Sequence, residues 1–135
     1  MQFPSFTHPV TGIAIPLGAL KTAKSCGIGE FLDLVPFADF CKKAGIDLIQ
    51  LLPVNDTGTE SSPYSALSAF ALQPAYISLS SLPEAAPFAR DIDALAVKYE
   101  YRPRFSYREI RDAKLELLHR IFDVNEQVIV KSPEL

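Results

Sequence analysis

With 135 residues, of which 48% are apolar and 21% charged, the chain has the size and composition of one ordinary folded domain, which excludes a disordered or fibrous protein. Its formal net charge of −3, with Lys and Arg scattered evenly, provides no basic stripe, so nucleic acid is not an expected partner. No signal peptide is recognisable and no apolar run approaches the roughly 18 residues of a membrane span, so we expect no membrane association and a cytoplasmic location.

The cysteines and histidines give no sign of a metal site, a cofactor or a nucleophile. Cys26 and Cys41 lack both a CxxC spacing and a neighbouring His, so both are predicted to be free thiols. His8 and His119 have no Ser or Cys partner arranged for nucleophilic catalysis. The short "CGIG" and "TGTE" stretches lack the glycines of a phosphate-binding loop. We therefore expect no metal and no cofactor.

The first part of the chain is predicted to form a strand, a helix and a second strand. "TGIAIPL" (residues 11–17) and "LIQLLPV" (48–54) are apolar almost throughout, which is typical of parallel strands covered on both faces. Between them, a helix should begin near Asp33 or Leu34, with Asp33 as its cap and Gly45 at its end. This order predicts a right-handed parallel βαβ unit.

The predicted helix has one apolar face and a group of aromatic residues near it. Apolar side chains recur at the helical spacing i, i+3, i+4 and i+7, at Leu34, Phe37, Ala38 and Cys41. Pro36 is tolerated because the first turn of a helix has no intrahelical partner for its backbone N–H groups. Core packing is the predicted role of the nearby aromatic rings, Phe31, Phe37 and Phe40.

The second half of the chain is predicted to contain one more strand and one more helix. "AYISLSSL" (75–82) has the residues of a short strand with one wet face, and the proline-containing region that follows, 83–105, should be loop with at most a helical turn. "SYRE" (106–109) fits a capping box that opens a helix reaching about Phe122. Its predicted apolar face comprises Ile110, Ala113, Leu117, Leu118 and Ile121.

Two parallel strands with both faces apolar normally lie inside a larger sheet with helices on each side. This chain does not supply the other strands. Either they lie outside it, or a second copy covers the exposed edges, and we therefore expect self-association of the chain through its strand edges.

A long polar loop, "NDTGTESSPYSALSAF" (55–70), follows the second strand at its carboxyl end, where α/β folds place ligands. Short hydrogen-bonding side chains accompany an aromatic ring, Tyr64, which follows Pro63. Sugars use both kinds of group, since their C–H faces stack on rings and their hydroxyls form hydrogen bonds. The alternative is a solvated turn whose Tyr plugs the end of the core. The polar candidates are Asn55, Asp56, Thr57, Ser61 and Ser62.

The segment from Gly27 to Leu79, with "LLPVNDTG", "SSPYSALSAFA" and "PAYI", resembles the N-terminal part of the 4-α-glucanotransferases, also called amylomaltases or disproportionating enzymes. The resemblance implies an α/β fold that forms the N-terminal part of a (β/α)8 TIM barrel, a βαβ unit with an inserted subdomain and a C-terminal helix. Residues 1–58 would be the first barrel segment, 59–105 the inserted subdomain, and 106–135 a helix and tail.

The resemblance also implies a substrate class and roles for particular residues. The substrates would be α-1,4-glucans, with Tyr64 stacking on the glucose just before the cleaved bond and Ser62 hydrogen-bonding the same sugar. Asp56 is a further candidate for substrate binding, although Asn-Asp-Thr-Gly is also common turn chemistry. The chain departs from the family where Thr59 replaces a frequent Tyr, and where "PLGALKT" replaces "HPTSLPG" after the first strand.

A retaining transferase needs two carboxyl groups about 5–5.5 Å apart, one as nucleophile and one as acid and base. In the family these groups come from later barrel strands, so we expect no catalytic residue in this chain and no transfer activity from it alone. Two rivals stay open: a non-catalytic module that binds α-glucan or a protein partner, and a fragment of an α-amylase-like hydrolase.

Overall fold

The computed structural model describes residues 8–100 and 105–131, and it begins with the predicted βαβ unit. Strand β1 (Gly12–Ile15) pairs in parallel with strand β2 (Leu48–Leu51), with Gly12 opposite Leu48 and Ile15 opposite Leu51. Helix α1 (Leu34–Ala44) connects them. The α/β class is therefore confirmed, and both strands are shorter than predicted.

Helix α1 ends as predicted but is not capped as predicted. Gly45 follows it with φ 72°, the left-handed conformation that favours glycine after a helix. The carboxylate of Asp33 does not cap α1. It accepts the backbone N–H of Glu30 at 2.7 Å, in a reciprocal capping box around the short 3-10 turn Phe31–Asp33. That turn precedes α1 directly, and the Asp33 side chain caps the turn instead of α1.

The described residues do not cover the strands on both faces, which corrects the prediction. In β1 the residues alternate between exposed and half-buried, and Leu48 of β2 is 45% exposed. Among residues 8–100 and 105–131, no other strand pairs with the outer edge of β1 or of β2. The apolar sequence of both strands thus exceeds what the described residues bury.

The predicted strand at 75–82 is wrong, because two 3-10 turns, Pro74–Tyr76 and Leu79–Ser81, occupy this segment. Gln73 accepts the N–H of Ala75 with its side chain, and Pro74 opens the first turn with a fixed φ. Ser81 donates both its N–H and its hydroxyl to the carbonyl of Ser78. Such local bonds replace the ladder that a strand would need.

The predicted loop at 83–105 is also wrong, because it contains a full helix. A 3-10 segment, Pro83–Phe88, leads into helix α2 (Ala89–Glu100). Pro83 and Pro87 lie before its first residue, and Pro103, the third proline of this region, lies outside the described residues. The face of α2 that packs against the core is apolar at helical spacing, at Ile92, Leu95, Ala96 and Tyr99.

Helix α3 (Tyr107–Ile129) begins where predicted and runs well past Phe122. Ser106 precedes it without a side-chain capping bond, so the predicted capping box is wrong. Beyond Phe122 the apolar residues Val124 and Val128 are exposed, and the helix continues because no Gly or Pro interrupts it. None of the helices among the described residues is both long and apolar enough to cross a bilayer.

Two apolar clusters form the core, and α3 contributes to both. The first contains Leu17, Leu20, Ile28, Tyr76, Tyr99, Tyr107 and Ile110, and the second contains Cys26, Leu79, Ala85, Ile92, Leu117 and Ile121. Leu95 packs against both clusters.

The expectations for aromatic and cysteine residues are largely confirmed. Phe31 and Phe37 pack against the first cluster, whereas Phe40 is 59% exposed, so its predicted core role is wrong. Phe40 stacks on the ring of Phe37 at 6.3 Å between centroids. Cys26 and Cys41 are both free and buried. Burial raises the pKa of the Cys26 thiol to about 11.

A buried ion pair ties the segment before α1 to α3. Lys114 Nζ lies 2.5 Å from Glu30 Oε1 and donates to the carbonyl of Ile77 at 2.9 Å. Glu30 Oε1 also accepts the N–H of Cys26 at 3.0 Å. Both charged side chains are almost completely buried, so each charge is compensated by the other instead of by water.

Candidate functional site

The polar loop that follows β2 is closed at its base by backbone hydrogen bonds. Asn55 forms an antiparallel bridge with Leu72, and the N–H of Asp56 donates to the carbonyl of Ala71 at 2.8 Å. The N–H of Gln73 donates to the carbonyl of Val54 at 3.0 Å. Residues 55–72 therefore form one lobe whose two ends are hydrogen-bonded to each other just beyond β2, and we call this lobe the Tyr64 loop.

Tyr64 lies on a tight turn with its ring in solvent. The N–H of Ser65 donates to the carbonyl of Ser62 at 3.1 Å, and the N–H of Tyr64 approaches the Ser62 hydroxyl oxygen at 3.4 Å. Tyr64 is 73% exposed, so the alternative in which its ring plugs the core does not hold. Ser62 is exposed beside it, and its hydroxyl proton remains available for an acceptor on a ligand.

A groove of about 310 Å³ lies where the Tyr64 loop meets the carboxyl end of β1. Pro63, the neighbour of Tyr64, lines it from the loop, and three aromatic rings line it elsewhere. Its walls are formed by Pro16, Gly18, Ala19, Ile28, Ser61, Pro63, Tyr76, Phe105 and Tyr107. The groove thus combines apolar ring surface with a hydroxyl, the combination that a sugar uses.

A larger cavity of about 590 Å³ lies at the N-terminal end of α1 and shares no residue with the Tyr64 loop. Its apolar walls include Leu32, Val35 and Pro36, and no aromatic ring lines it. It therefore lacks a platform for a pyranose ring, and the groove beside Tyr64 is the better candidate.

Asp56 is engaged in holding the loop. Its Oδ1 atom accepts the N–H of Gly58 at 2.8 Å and the side-chain amide of Gln73 at 3.0 Å. Gly58 has φ 57°, which completes the Asx-type turn. The other acidic side chain of the loop, Glu60, pairs with Arg108 at 3.0 Å. Both acidic groups of the loop thus have partners within the fold.

Three residues that support the loop were not predicted as a group. Gln73 Nε2 donates to the Tyr107 hydroxyl at 2.7 Å, and that hydroxyl lies 3.0 Å from Thr57 Oγ1. Thr57 was a candidate for binding sugar, but it is buried and turned towards α3. The contacts span 34 and 50 positions of sequence, and no local pattern indicates them.

A second contact joins the loop to the first turn of α3. Arg108 Nε donates to the carbonyl of Thr59 at 3.1 Å, beside its ion pair with Glu60. Thr59 is the residue that replaces the Tyr frequent in the resembled family, and here its backbone serves as an anchor. Residues 8–100 and 105–131 contain no group of three His, Cys, Asp or Glu side chains that could hold a metal ion.

Fold and site together define an α/β polypeptide with a hydrogen-bonded loop, carrying an exposed aromatic ring, at the carboxyl end of a parallel strand. The family model described as 4-alpha-glucanotransferase matches residues 15–134, and the chain belongs to this family. The predicted resemblance is therefore confirmed.

Individual relatives agree with this assignment. The chain is 43% identical over 125 residues to a 4-alpha-glucanotransferase of Chlamydia caviae, a match covering 91% of this chain and 23% of the relative. For the 4-alpha-glucanotransferase of Chlamydia trachomatis serovar D, identity is 40% over 123 residues, covering 90% of this chain and 23% of the relative. A rice 4-alpha-glucanotransferase is 34% identical over 127 residues, or 90% of this chain and 13% of the relative. The chain thus spans less than a quarter of the length of these relatives.

Proposed function

We propose that this chain is the N-terminal part of a 4-α-glucanotransferase, which transfers α-1,4-glucan segments to acceptor sugars by a retaining double displacement. In this proposal the chain contributes donor-sugar binding, and the nucleophile and the acid and base come from outside it. Family membership supports the activity. The exposed ring of Tyr64 on a turn fixed at the carboxyl end of β2 is the observation that carries the local role.

The proposed sugar contact fits the chemistry of the Tyr64 loop. Pro63 and the Ser62–Ser65 hydrogen bond restrict the turn, so stacking a pyranose on Tyr64 costs little ordering of the loop. Ser62 would donate its hydroxyl proton to the same sugar. Asp56 would act mainly by shaping the loop, since its Oδ1 atom already accepts two hydrogen bonds.

We further propose that β1 and β2 are the first two strands of a (β/α)8 barrel. Their parallel pairing and their outer edges, which have no partner among the described residues, support this assignment. Residues 1–58 would form the first barrel segment, 59–105 an inserted subdomain and 106–135 the helix and tail. The cytoplasmic location stays a prediction.

The activity is tested on the complete gene product incubated with maltoheptaose. Transfer predicts a ladder of shorter and longer α-1,4-glucans with no net gain of reducing ends, because each broken bond is replaced by a new one. A steady gain of reducing ends would instead indicate an α-amylase-like hydrolase. Binding of maltoheptaose with neither change would indicate a non-catalytic glucan-binding module.

Replacing Tyr64 with alanine in the complete enzyme should lower kcat/KM by about 10- to 100-fold, or about 1.4–2.7 kcal/mol of lost transition-state binding. The free energy of unfolding should change by only about 0.5 kcal/mol, because the ring is mostly exposed. Kinetics with maltotriose and urea unfolding measure the two quantities.

Two control variants isolate the ring of Tyr64. Tyr64→Phe keeps the stacking face and should retain most of the activity. Leu67→Ala removes another exposed apolar side chain of the same loop, 76% exposed, and should leave kcat/KM nearly unchanged. A Tyr64→Ala enzyme that unfolds readily but has unaltered kinetics in its folded fraction would make Tyr64 a structural residue.

We also propose that the 135-residue chain self-associates through its strand edges, because neither outer edge has a partner strand among the described residues. Light scattering should show a mean mass that rises with concentration. A constant monomer mass up to high concentration would contradict this proposal.

A further inference from the structure

We propose that Tyr107 is a positioning residue, whose hydroxyl holds the Tyr64 loop in the orientation that glucan binding requires. The consequence for glucan rests on the proposed function, whereas the effect on the loop does not. Tyr107 is the first residue of α3, and its hydroxyl contacts both Gln73 and Thr57.

The donors and acceptors around Tyr107 form a chain with one direction. The Thr57 hydroxyl has a single proton and donates it to the carbonyl of Glu60 at 2.6 Å. Thr57 Oγ1 must therefore accept at its contact with Tyr107, so Tyr107 donates its own proton to Thr57. The Tyr107 oxygen in turn accepts from Gln73 Nε2. The donors Gln73, Tyr107 and Thr57 thus follow one another in this order, and the Glu60 carbonyl is the final acceptor.

Gln73 fixes the other end of this chain. Its Oε1 atom accepts the N–H of Ala75, so its amide nitrogen faces Asp56 and Tyr107. The two protons of that nitrogen are both used, one for Asp56 Oδ1 and one for the Tyr107 hydroxyl. The hydroxyl of Tyr107 therefore connects both sides of the loop base to α3.

Burial makes the Tyr107 hydroxyl hard to replace. Gln73, Thr57 and Tyr107 are 1%, 5% and 7% exposed, so water does not reach these contacts freely. Removing the hydroxyl would leave a Gln73 N–H without its acceptor and Thr57 Oγ1 without its donor, and buried groups in that state are costly. The loop would have to move to regain partners.

The chain of bonds ends close to Tyr64. It reaches the carbonyl of Glu60, which lies at the start of the stretch leading to Ser62 and Tyr64. The Tyr107 ring also lines the groove together with Pro63. A displaced Glu60 carbonyl would therefore shift both the turn that carries Tyr64 and one wall of the groove.

The experiment uses Tyr107→Phe in the 135-residue chain, followed by nuclear magnetic resonance. We expect the backbone amide signals of residues 57–65 and the ring signals of Tyr64 to shift or broaden before any sugar is added. The Kd for maltoheptaose should rise about tenfold, since the loop must be reordered when the sugar binds.

Matched variants separate positioning from general loss of stability. Tyr99→Phe removes the hydroxyl of another buried tyrosine, whose bond to Glu109 lies outside the loop, and should leave the Tyr64 signals and the Kd unchanged. Thr57→Val breaks the same chain from the loop side and should reproduce the effect of Tyr107→Phe. Thr57→Ser keeps the hydroxyl and should restore wild-type signals and affinity. If Tyr107→Phe does not fold, the Thr57 pair decides.

The outcomes distinguish this proposal from the proposed function. Unchanged loop signals in Tyr107→Phe and Thr57→Val would overturn the positioning role. Changed loop signals with an unchanged Kd for maltoheptaose would show that the position of the loop set by Tyr107 does not affect glucan binding. Changed signals in a chain whose wild type does not bind maltoheptaose would leave the positioning role standing and count against glucan binding by this part of the enzyme.

Discussion

Replacing Lys114 with methionine is expected to lower the free energy of unfolding by about 3–5 kcal/mol. Methionine fills much the same volume but leaves the Glu30 carboxylate buried without its cation. Lys114 is fully buried and its ammonium group lies 2.5 Å from Glu30 Oε1, so little water is present to replace it. Urea unfolding measures the loss as a shift of the midpoint at constant slope.

Two further variants show whether the uncompensated charge causes that loss. The double variant Lys114→Met with Glu30→Gln removes both charges while an amide oxygen can still accept the N–H of Cys26, so it should be more stable than the single variant. Arg120→Met breaks the exposed pair with Asp91 and should cost only about 0–1 kcal/mol. Equal losses from Lys114→Met and Arg120→Met would contradict the argument.

The parts of the fold that the sequence predicts are those defined by local rules. Helix α1 follows from apolar spacing, and its end follows from Gly45, whose left-handed φ of 72° favours glycine. The parallel pairing of β1 and β2 follows from two apolar strands separated by one helix. In each case the residues that carry the pattern belong to the helix or strand itself or follow it directly.

The segment 74–100 was mispredicted because neighbouring signals compete there. "AYISLSSL" has strand-forming residues, but the side chains of Gln73 and Ser81 bind nearby backbone groups and favour 3-10 turns instead. For α2 the sequence has apolar residues at helical spacing. The nearby prolines nevertheless argue against a helix, and they lead to the prediction of a loop. Pro83 and Pro87 lie in the 3-10 segment that leads into the helix, so they do not interrupt α2.

The candidate site likewise has features that adjacent residues predict and contacts between distant residues that the sequence does not reveal. The turn at Pro63 and the exposure of Tyr64 follow from residues that are adjacent in sequence. The contacts of Tyr107 with Thr57 and Gln73 depend on how α3 packs, and a tyrosine at a helix start gives no signal of its partners. Likewise, Lys114 looks like a solvated helix residue until its place against Glu30 is known.

Replacing Gly29 with alanine is expected to lower the free energy of unfolding by about 3 kcal/mol, at the upper end of overpacking costs. A Cβ at Gly29 would lie 2.1 Å from the carbonyl oxygen of Leu17 and 2.8 Å from the backbone nitrogen of Leu20. Both are backbone atoms, so no side-chain rotation relieves the overlap. The Gly29 N–H also donates to the Gly18 carbonyl at 2.9 Å, which holds the two segments together.

Gly29→Ala should also change the shape of the groove beside Tyr64. Gly18 and Ile28 line this groove, and they must move apart from their neighbours to admit the methyl group. We expect weaker maltoheptaose binding together with the lost stability. Gly12→Ala is the control, since its Cβ would meet Leu48 Cβ at 3.4 Å, an ordinary contact, and its cost should stay below about 1 kcal/mol. If Gly29→Ala is as stable as Gly12→Ala in urea, the close approach of Gly18 and Gly29 does not constrain the groove.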